Sequence, residues 1–585
     1  MARPVNNNDS DSLAEETDLK KGSQHGQRPI VVVAESLSGD QVCIRPEIEV
    51  YCFGLPRNVS RQPLSASQLA ELFQQDKPPT LVGHFALVVC WPQQNRCLML
   101  ADRFATHRLY YAADADSLVV SERLEAVRRH RPDSGISQQA LVNYLFFHMI
   151  PSPETVYRGI HCLEPAQRIQ WKGGDLQRDH HWVPRFDQTE MVEEPQQAEK
   201  LLATMRELMP EYSSHASSGC FLSGGLDSSS VAGLVAEQRR KTDVFSIGFP
   251  IEQYNELDYA RTAVQHFGLT GHEYEMSPQD VVDALPQVIA SMDQPFGNSS
   301  VMPAYFCARL AKSKGIDCLI AGDGGDELFA GNERYSKQLQ LDRLRQRLKP
   351  LIWLMDLTIL RPPWPESVKL FGKARSLTQQ LKMTVPQNLE YFNFLNLIER
   401  QEIFSDAMLQ ATDQQEPDRR CQQLFDQLEH GDTLDRMLFM DWKHTLADND
   451  LVKVNSMCRL AGVDVAYPML DDRLVDFSLR VPGQQKLTPA NLRHLYKMAM
   501  TGFLPDKIIN KPKHGFGLPF GLWTVEHQGL RGLAYEAIAS LDQLDLFNPG
   551  FIDDVIRRHQ REHAKHYGEL VWILMVLALW LDRHQ

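Results

Sequence analysis

The fold of this chain is decided by Phe221-Leu-Ser-Gly-Gly-Leu-Asp-Ser-Ser-Ser-Val231, which joins an apolar strand end to a helix through a Ser-Gly-Gly turn. Because the two glycines lack Cβ, backbone N–H groups can turn toward an anion, and the serine hydroxyls add donors at the positive end of the helix. Asp227 would repel a phosphate, so its expected role is to hold the Mg²⁺ that neutralises one. The stretch predicts a pyrophosphate-binding turn in a parallel α/β sheet.

A second stretch repeats this design about a hundred residues further on. It reads Asp317-Cys-Leu-Ile-Ala-Gly-Asp-Gly-Gly-Asp-Glu-Leu-Phe-Ala-Gly-Asn-Glu-Arg-Tyr335, in which glycines follow a short apolar strand and Asp323 and Asp326 are spaced three apart. Alone, the first stretch would fit an ordinary strand, turn and helix with a serine N-cap. Two such turns at adjacent strand ends would instead face one another across a nucleotide.

The pair of stretches resembles the synthetase domain of the asparagine synthetase family, a branch of the ATP pyrophosphatases that forms an acyl-adenylate and releases pyrophosphate. The Gly-x-x-x-x-Gly-Lys-Ser/Thr string of γ-phosphate-cleaving enzymes is absent. The resemblance continues through 450–455 and 464–471, with Asn455 for Asp, Asp464 for Glu and Ala466 for Arg. Those three changes are expected in the acceptor-side pocket, so the substrate is left open.

The resemblance implies an AMP-forming carbon–nitrogen ligase that uses ATP and Mg²⁺, with Asp227 and Asp326 as metal ligands. Backbone groups would make most of the contacts with adenosine, and the pyrophosphate would bind to the first turn. The nucleotide-binding residues predicted in this way are Leu222, Ser223, Gly224, Gly225, Leu226, Asp227, Ser228, Ile247, Ala321 and Gly322.

Two residues are predicted to be catalytic by the same resemblance. Lys513, in the loop Lys511-Pro-Lys-His-Gly-Phe-Gly-Leu-Pro519, is expected near the α-phosphate, where a cation stabilises charge that grows in the transition state. Lys511 is predicted to be a solvated basic residue. Asp323 stands where the family often carries Glu and is expected to order the nucleophile or to shuttle its proton.

Alternating apolar residues in 83–91, 97–111 and 118–122 predict strands and resemble the family's glutamine amidotransferase domain. Working glutaminases of this family expose a cysteine as the first residue after Met removal, whereas this chain reads Met1-Ala2-Arg3 and its ten cysteines are internal. The glutaminase is therefore expected to be inactive.

Other positions of this domain support that expectation. Around Asp102 the chain has Ala101 for Arg, Ala105 for Gly and Arg108 for Pro, and no Asn-Gly-Glu string is present to hold a glutamine.

The predicted fold is an α+β N-terminal domain of layered antiparallel sheets with helices, resembling the Ntn hydrolases, followed by an α/β domain with a parallel sheet of ATP-pyrophosphatase type and a helical C-terminal part. We expect a disordered segment over 1–29, a degenerate amidotransferase-like domain over 30–190 and the synthetase-like domain over 195–585. Segment 336–445 is expected to be helical and to cover the site.

The composition limits which binding partners and which cellular compartment are expected. A formal net charge of −14 gives no reason to expect nucleic acid or an anionic membrane, and cysteines without Cys-x-x-Cys pairs favour a reducing compartment. The apolar run over 570–581 has twelve residues, too few to span a bilayer, and predicts a buried C-terminal helix. We therefore expect a cytoplasmic protein.

The sequence leaves open which amine attacks the acyl-adenylate. Family members that lack the glutaminase cysteine include β-lactam synthetases and the cyclases that close the macrolactam of lasso peptides, and the strings at 54–57 and 450–520 resemble the cyclases. Macrolactam formation is the specific prediction, with ATP, a peptide or small-molecule carboxylate and precursor-peptide partner proteins as partners. Ammonia-dependent asparagine synthesis, sugar-acid amidation and β-lactam formation remain alternatives, as does an inactive nucleotide-binding scaffold.

Overall fold

The computed structural model describes residues 29–37, 39–75, 79–187, 192–215, 217–356, 369–489, 491–512 and 517–584. Two sequence predictions lie outside the described residues: the disordered segment 1–29, of which only residue 29 is described, and the catalytic Lys513. The predicted domain boundaries stay predictions.

The N-terminal domain is built from two sheets. A four-stranded sheet has the order β1-β7-β6-β8, and a six-stranded sheet has the order β10-β9-β5-β4-β3-β2. The six-stranded sheet is antiparallel throughout, as predicted, but β1 pairs with β7 in parallel. The strands are β1 Ile30–Val33, β2 Val42–Ile44, β3 Glu49–Arg57, β4 Val82–Trp91, β5 Arg96–Ala101, β6 Tyr110–Ala113, β7 Leu118–Ser121, β8 His161–Cys162, β9 Gln167–Lys172 and β10 Asp175–His180.

Alternation along the strands separates two apolar layers in this domain. On β4, Val88 packs between the two sheets, whereas its neighbours Leu87 and Val89 pack against the first helix on the outer face. On β7, Val120 also faces the space between the sheets, but Val119 belongs to the large core that continues into the second domain. The N-terminal domain therefore shares a core with the rest of the chain.

The second domain contains a five-stranded sheet of order β13-β12-β11-β14-β15 in which every pairing is parallel. From β11 the chain runs outward through β12 and β13, and then returns to the other side for β14 and β15. The strand order therefore reverses between β11 and β14, and ligands of open α/β sheets bind at such a point, beyond the carboxyl ends of the strands. The strands are β11 Ser218–Phe221, β12 Asp243–Gly248, β13 Thr270–Glu275, β14 Cys318–Ile320 and β15 Asp464–Ala466.

Helices pack on the sheets of both domains and form most of the C-terminal region. The predicted helical segment 336–445 is helical over most of its described length. The helices are α1 Ala66–Phe73, α2 Leu124–His130, α3 Gln138–Phe147, α4 Glu194–Ser213, α5 Leu226–Gln238, α6 Leu257–Phe267, α7 Pro278–Ser291, α8 Val301–Ser313, α9 Gly325–Phe329, α10 Glu333–Leu348, α11 Ile352–Met355, α12 Lys369–Lys382, α13 Phe394–Leu397, α14 Arg400–Ile403, α15 Asp406–Ala411, α16 Glu416–Gln427, α17 Thr433–Asp441, α18 Leu451–Ala461, α19 Asp472–Arg480, α20 Gly483–Lys486, α21 His494–Met500, α22 Asp506–Ile509, α23 Phe520–Glu526, α24 Gln528–Ser540, α25 Phe551–Arg561 and α26 Ala564–His584.

The C-terminal helix α26 is longer than the apolar run that predicted it. It has 21 residues, and by length and composition alone it is the one helix in the described ranges that could cross a membrane. Yet 67% of its most apolar window is buried inside the protein, where Trp572 and Trp580 pack in the main core. The prediction of a buried helix is confirmed, but the prediction that it is too short to span a bilayer is wrong, because the helix begins six residues before the apolar run.

Candidate active site

The first glycine-rich turn, which the sequence predicts to bind pyrophosphate, connects β11 to α5. The Ser223 and Ser228 hydroxyl oxygens lie 3.0 Å apart, and the Ser223 N–H donates to Ser228 Oγ at 3.2 Å. Gly224 has φ +69°, and a Cβ there would lie 2.4 Å from the Ala260 nitrogen on α6. Glycine is therefore required at this position by the backbone conformation and by the close approach of α6.

The second turn connects β14 to α9 and touches the first. A Cβ on Gly322 would lie 2.8 Å from the Ser228 nitrogen, and a Cβ on Gly325 would lie 2.1 Å from Asp227 Oδ1. Glycine at these two positions lets the turns approach each other without a clash. The sequence prediction that the two turns face one another is confirmed.

The two predicted metal ligands lie on either side of one arginine. Arg493 Nη1 is 2.7 Å from Asp227 Oδ2 and 2.9 Å from Asp326 Oδ1. The Arg493 side chain is only 7% exposed, and its residue adopts φ +54° immediately before α21. No sequence pattern indicates Arg493, because it lies 266 positions from Asp227 and belongs to no glycine-rich turn.

The pair of carboxylates fits a hard divalent cation. Mg²⁺ prefers oxygen ligands and is commonly held by one or two carboxylates together with substrate phosphates and water. Among the residues that the structure describes, no group of three or more His, Cys, Asp or Glu side chains is placed to hold a metal. Asp227 and Asp326 would therefore hold the ion only in combination with the phosphates of a bound nucleotide.

A cavity of about 440 Å³ opens at the two turns. Most of the predicted site residues line it, namely Leu222, Ser223, Gly225, Leu226, Asp227, Ser228, Ile247, Gly322, Asp323 and Asp326. Two predicted nucleotide-binding residues do not. Gly224 packs against α6, and Ala321 is fully buried, where its N–H donates to the Ala466 carbonyl on β15 at 2.9 Å.

The lining of this cavity is more acidic than basic. Within the described part of the chain, six carboxylates face three cations: the acids are Asp227, Glu256, Asp323, Asp326, Glu327 and Asp450, and the bases are Lys453, Arg493 and Lys511. A nucleotide triphosphate brought into this lining would need additional positive charge. A divalent cation between the carboxylates and the phosphates would supply it.

Lys511 is not the solvated residue that the sequence predicted. Its side chain is 7% exposed, and Nζ lies 3.0 Å from Glu256 Oε2 and donates to the Ser223 carbonyl at 3.3 Å. The ammonium also lies 4.8 Å from the centre of the Tyr259 ring. Lys511 therefore ties its loop to the first turn, and Pro512, the residue before Lys513, lines the cavity.

The Asp323 carboxyl lies near the Lys453 ammonium in the cavity. Burial raises the pKa of the Asp323 carboxyl to about 6, and the nearby Lys453 ammonium opposes that rise. Lys453 Nζ itself lies 2.5 Å from Asp450 Oδ1. A carboxyl with this pKa can gain and lose a proton near neutral pH, as proton transfer requires.

The three altered family positions are not among the residues that line this cavity, and their expected place in an acceptor-side pocket stays a prediction. Asn455 lies at the contact with the N-terminal domain, where its Nδ2 donates to the Thr106 carbonyl at 2.8 Å and its Oδ1 accepts from the Tyr467 hydroxyl at 2.8 Å. Asp464 and Ala466 belong to the edge strand β15, paired with β14. These changes therefore act on the domain contact and the sheet edge.

The comparison with known proteins agrees with this architecture. The asparagine synthase family model matches residues 201–582, and the glutamine amidotransferase domain model matches residues 69–182. Because the first match alone covers well over half of the chain, the protein belongs to the asparagine synthase family. Its activity class is asparagine synthetase-like ATP-dependent amidation, and the family generally uses ATP.

The individual relatives are distant. Asparagine synthetase [glutamine-hydrolyzing] 1 of Bacillus subtilis is 22% identical over 528 residues, covering 87% of this chain and 78% of its own length. A Mycobacterium tuberculosis protein provisionally named asparagine synthetase [glutamine-hydrolyzing] is 26% identical over 514 residues, covering 86% and 76%. At these identities the substrate does not transfer from the relatives.

Proposed function

We propose that the protein is an AMP-forming ligase that joins a substrate carboxylate to an amine. A carboxylate oxygen attacks the α-phosphorus of ATP, the bond to the pyrophosphate breaks, and the amine then displaces AMP from the acyl carbon. Ser223, Gly225 and Ser228 bind the pyrophosphate, and Asp323 accepts the proton that the amine loses. Mg²⁺ held by Asp227 and Asp326 would neutralise phosphate charge.

The single observation that carries this proposal is the convergence of two glycine-rich acidic turns on one cavity at the reversal point of the sheet. An inactive scaffold would not need Asp323 beside Lys453, nor two carboxylates within 3 Å of one guanidinium nitrogen. The test is release of pyrophosphate from ATP on addition of a carboxylate substrate, with AMP formed in equal amount. Release of inorganic phosphate and ADP instead would overturn the proposal.

We further propose that the nitrogen does not come from glutamine hydrolysis in this chain. Nine of the ten cysteines are buried, and Cys318 is partly exposed. Burial raises the pKa of the Cys318 thiol to about 11 and that of Cys52 to about 12. A thiol with so high a pKa has little thiolate at neutral pH, and a buried one cannot reach a substrate.

The purified protein is therefore expected to release no glutamate from glutamine above background. It should also remain unlabelled by 6-diazo-5-oxo-norleucine, which reacts with glutaminase nucleophiles. Mass spectrometry of the intact protein measures the labelling, and a glutamate assay measures the hydrolysis. Stoichiometric labelling of one cysteine would restore a glutamine-dependent reaction.

For the substrate, we propose a peptide whose N-terminal amine attacks its own activated Asp or Glu side chain to form a macrolactam. The strings at 54–57 and 450–520 favour this choice, but local packing also explains some of their residues. Gly54 lies on β3 with φ +82°, and a Cβ there would lie 2.4 Å from His107 Nε2. Arg57 pairs with Glu211 at 3.3 Å. The absence of a reachable cysteine supports a substrate amine more directly.

Mass spectrometry separates the candidates. A peptide with a free N-terminal amine and an internal Asp or Glu should become lighter by one water with ATP and Mg²⁺, whereas its N-acetylated form should not, because it has no nucleophile. Precursor-peptide partner proteins would be added to both reactions. Conversion of free aspartate and ammonia to asparagine, amidation of a sugar acid, or β-lactam formation would each replace the macrolactam proposal.

The role of Asp323 predicts a pH dependence. Because its pKa is raised to about 6, the carboxyl is protonated and cannot accept a proton until the pH passes that value. We expect kcat/KM to rise with pH with a midpoint near 6. Lys453→Met should move the midpoint to higher pH, since the ammonium favours the ionised carboxyl. Asp323→Asn should lower the rate and remove the inflection, and an unchanged profile would exclude this role.

We also propose a cytoplasmic location, supported by cysteines that lack paired spacing. Fractionation of cells expressing the tagged protein tests it. Recovery in the membrane fraction, from which salt does not release the protein, would contradict it.

A further inference from the structure

A nine-residue π-helix, Trp442–Asp450, joins α17 to α18. Such segments are rare and are frequent at functional sites, because the wider turn redirects side chains that an α-helix would place elsewhere. Here the last residue of the π-helix, Asp450, lines the cavity together with Lys453 of the next turn. The path of this segment therefore sets one wall of the active site.

The π-helix is held at its start by both domains, through α9 of the synthetase domain and Trp182 of the N-terminal domain. The Trp442 indole N–H donates to the Glu327 carbonyl on α9 at 3.0 Å, and its ring stacks on Trp182 with centroids 6.3 Å apart and planes inclined by 8°. This end is thus connected directly to the second acidic turn.

Near its other end the π-helix is held by further contacts with the N-terminal domain. Arg108 Nη2 lies 2.5 Å from Asp448 Oδ1 and donates to the Ala447 carbonyl at 3.2 Å. Asp448 Oδ2 accepts from both the N–H and the hydroxyl of Ser152 at 3.0 Å. The Asp448 side chain is 2% exposed and that of Arg108 is 14% exposed, so water has little access to this ion pair.

Two further contacts run from the N-terminal domain to the same region. Lys443 Nζ donates to the Pro165 carbonyl at 2.9 Å, and Asn455 Nδ2 donates to the Thr106 carbonyl at 2.8 Å. The N-terminal domain therefore contacts the segment before, within and after the turn that reaches the cavity.

The residues next to Asp448 face the cavity side. Asn449 Oδ1 accepts from Asn298 Nδ2 at 2.7 Å, and Asn298 lines the cavity. Asp450 follows and pairs with Lys453, which lies beside Asp323. Three consecutive residues thus connect the domain contact to the group proposed to accept the proton of the amine.

We propose that Arg108 is a positioning residue. Through Arg108 the N-terminal domain, which is proposed to take no part in glutamine hydrolysis, fixes the path of the π-helix and therefore the arrangement of Asp450, Lys453 and Asp323. Removing one partner of a buried ion pair leaves the other charge poorly compensated and is strongly destabilising, so we expect the segment around Asp448 to open more readily without Arg108. This proposal rests on the ligase function above. It assigns a structural role to the N-terminal domain of a chain that is proposed to make no ammonia.

Arg108→Ala tests the proposal, with Arg108→Lys as the conservative variant and Arg168→Ala as the control. Arg168 also forms an ion pair within the N-terminal domain, with its Nε 2.8 Å from Asp179 Oδ1, but it does not contact the π-helix. Each variant is measured for thermal unfolding, for amide hydrogen exchange over 442–453, and for pyrophosphate release with ATP, Mg²⁺ and a peptide that has a free N-terminal amine and an internal Asp or Glu.

Arg108→Ala is expected to speed exchange over 442–453 and to lower kcat about 10- to 100-fold, as misplacement by about 1 Å does, while KM for ATP changes less than about threefold. Arg108→Lys should recover part of kcat, and Arg168→Ala should match the unmodified protein. Unchanged exchange in Arg108→Ala overturns the proposal, and so does faster exchange with unchanged kcat. If the unmodified protein releases no pyrophosphate, the ligase function fails, whereas the exchange measurement still decides whether Arg108 holds the π-helix.

Discussion

Replacement of Asp227 by Asn is expected to lower substrate-dependent pyrophosphate release by at least about a thousandfold, equivalent to about 4 kcal/mol of barrier. The amide has the same shape but carries no charge to hold Mg²⁺ against the phosphates. Asp326→Asn should have a similar effect, because the two carboxylates lie on either side of the same guanidinium. A coupled pyrophosphate assay measures the loss.

The fold should survive both replacements. In Asp227→Asn, Arg493 keeps its 2.9 Å contact with Asp326, so we expect a loss of about 1–3 kcal/mol in the free energy of unfolding. Asp258→Asn is the matched control, because Asp258 pairs with Arg261 on the neighbouring helix α6 and its side chain is 79% exposed. Pyrophosphate release by Asp227→Asn at the rate of this control would remove the basis of the proposed function.

Lys513→Ala is expected to lower turnover by several orders of magnitude while ATP affinity falls far less. The ammonium is proposed to act on charge that develops as the adenylate forms or is attacked, and such an interaction lowers the barrier without tightening the ground state. Lys513 lies outside the described residues, but Lys511 and Pro512 before it both line the cavity. Calorimetry with ATP and timed pyrophosphate release on the same sample separate the two effects.

Lys507→Ala is the control for this variant. Lys507 lies six residues earlier on α22, is exposed, and has its ammonium 5.3 Å from the centre of the Tyr259 ring. Its replacement should change neither binding nor turnover appreciably. If turnover of Lys513→Ala stays within about tenfold, or about 1.4 kcal/mol, then Lys513 has no catalytic role.

The sequence alone was sufficient for features whose causes are local. Glycines that permit a positive φ, hydroxyls at a helix start and alternating apolar residues act within a few positions, so the strand, turn and helix of 221–231 and the buried C-terminal helix could be predicted. The facing of the two turns also followed, because parallel strands bring their carboxyl ends to one edge of a sheet.

Tertiary structure decided which distant side chains meet. Arg493 lies between Asp227 and Asp326, Lys511 is buried against Glu256, and Asn455 contacts the N-terminal domain, although none of these partners is near in sequence. Charged side chains carry no local sign of their partner, because the energy of an ion pair depends on burial and distance, which exist only after the surfaces have packed. The sequence thus determined the two glycine-rich turns, and the packing of the domains around them determined which charges surround the cavity.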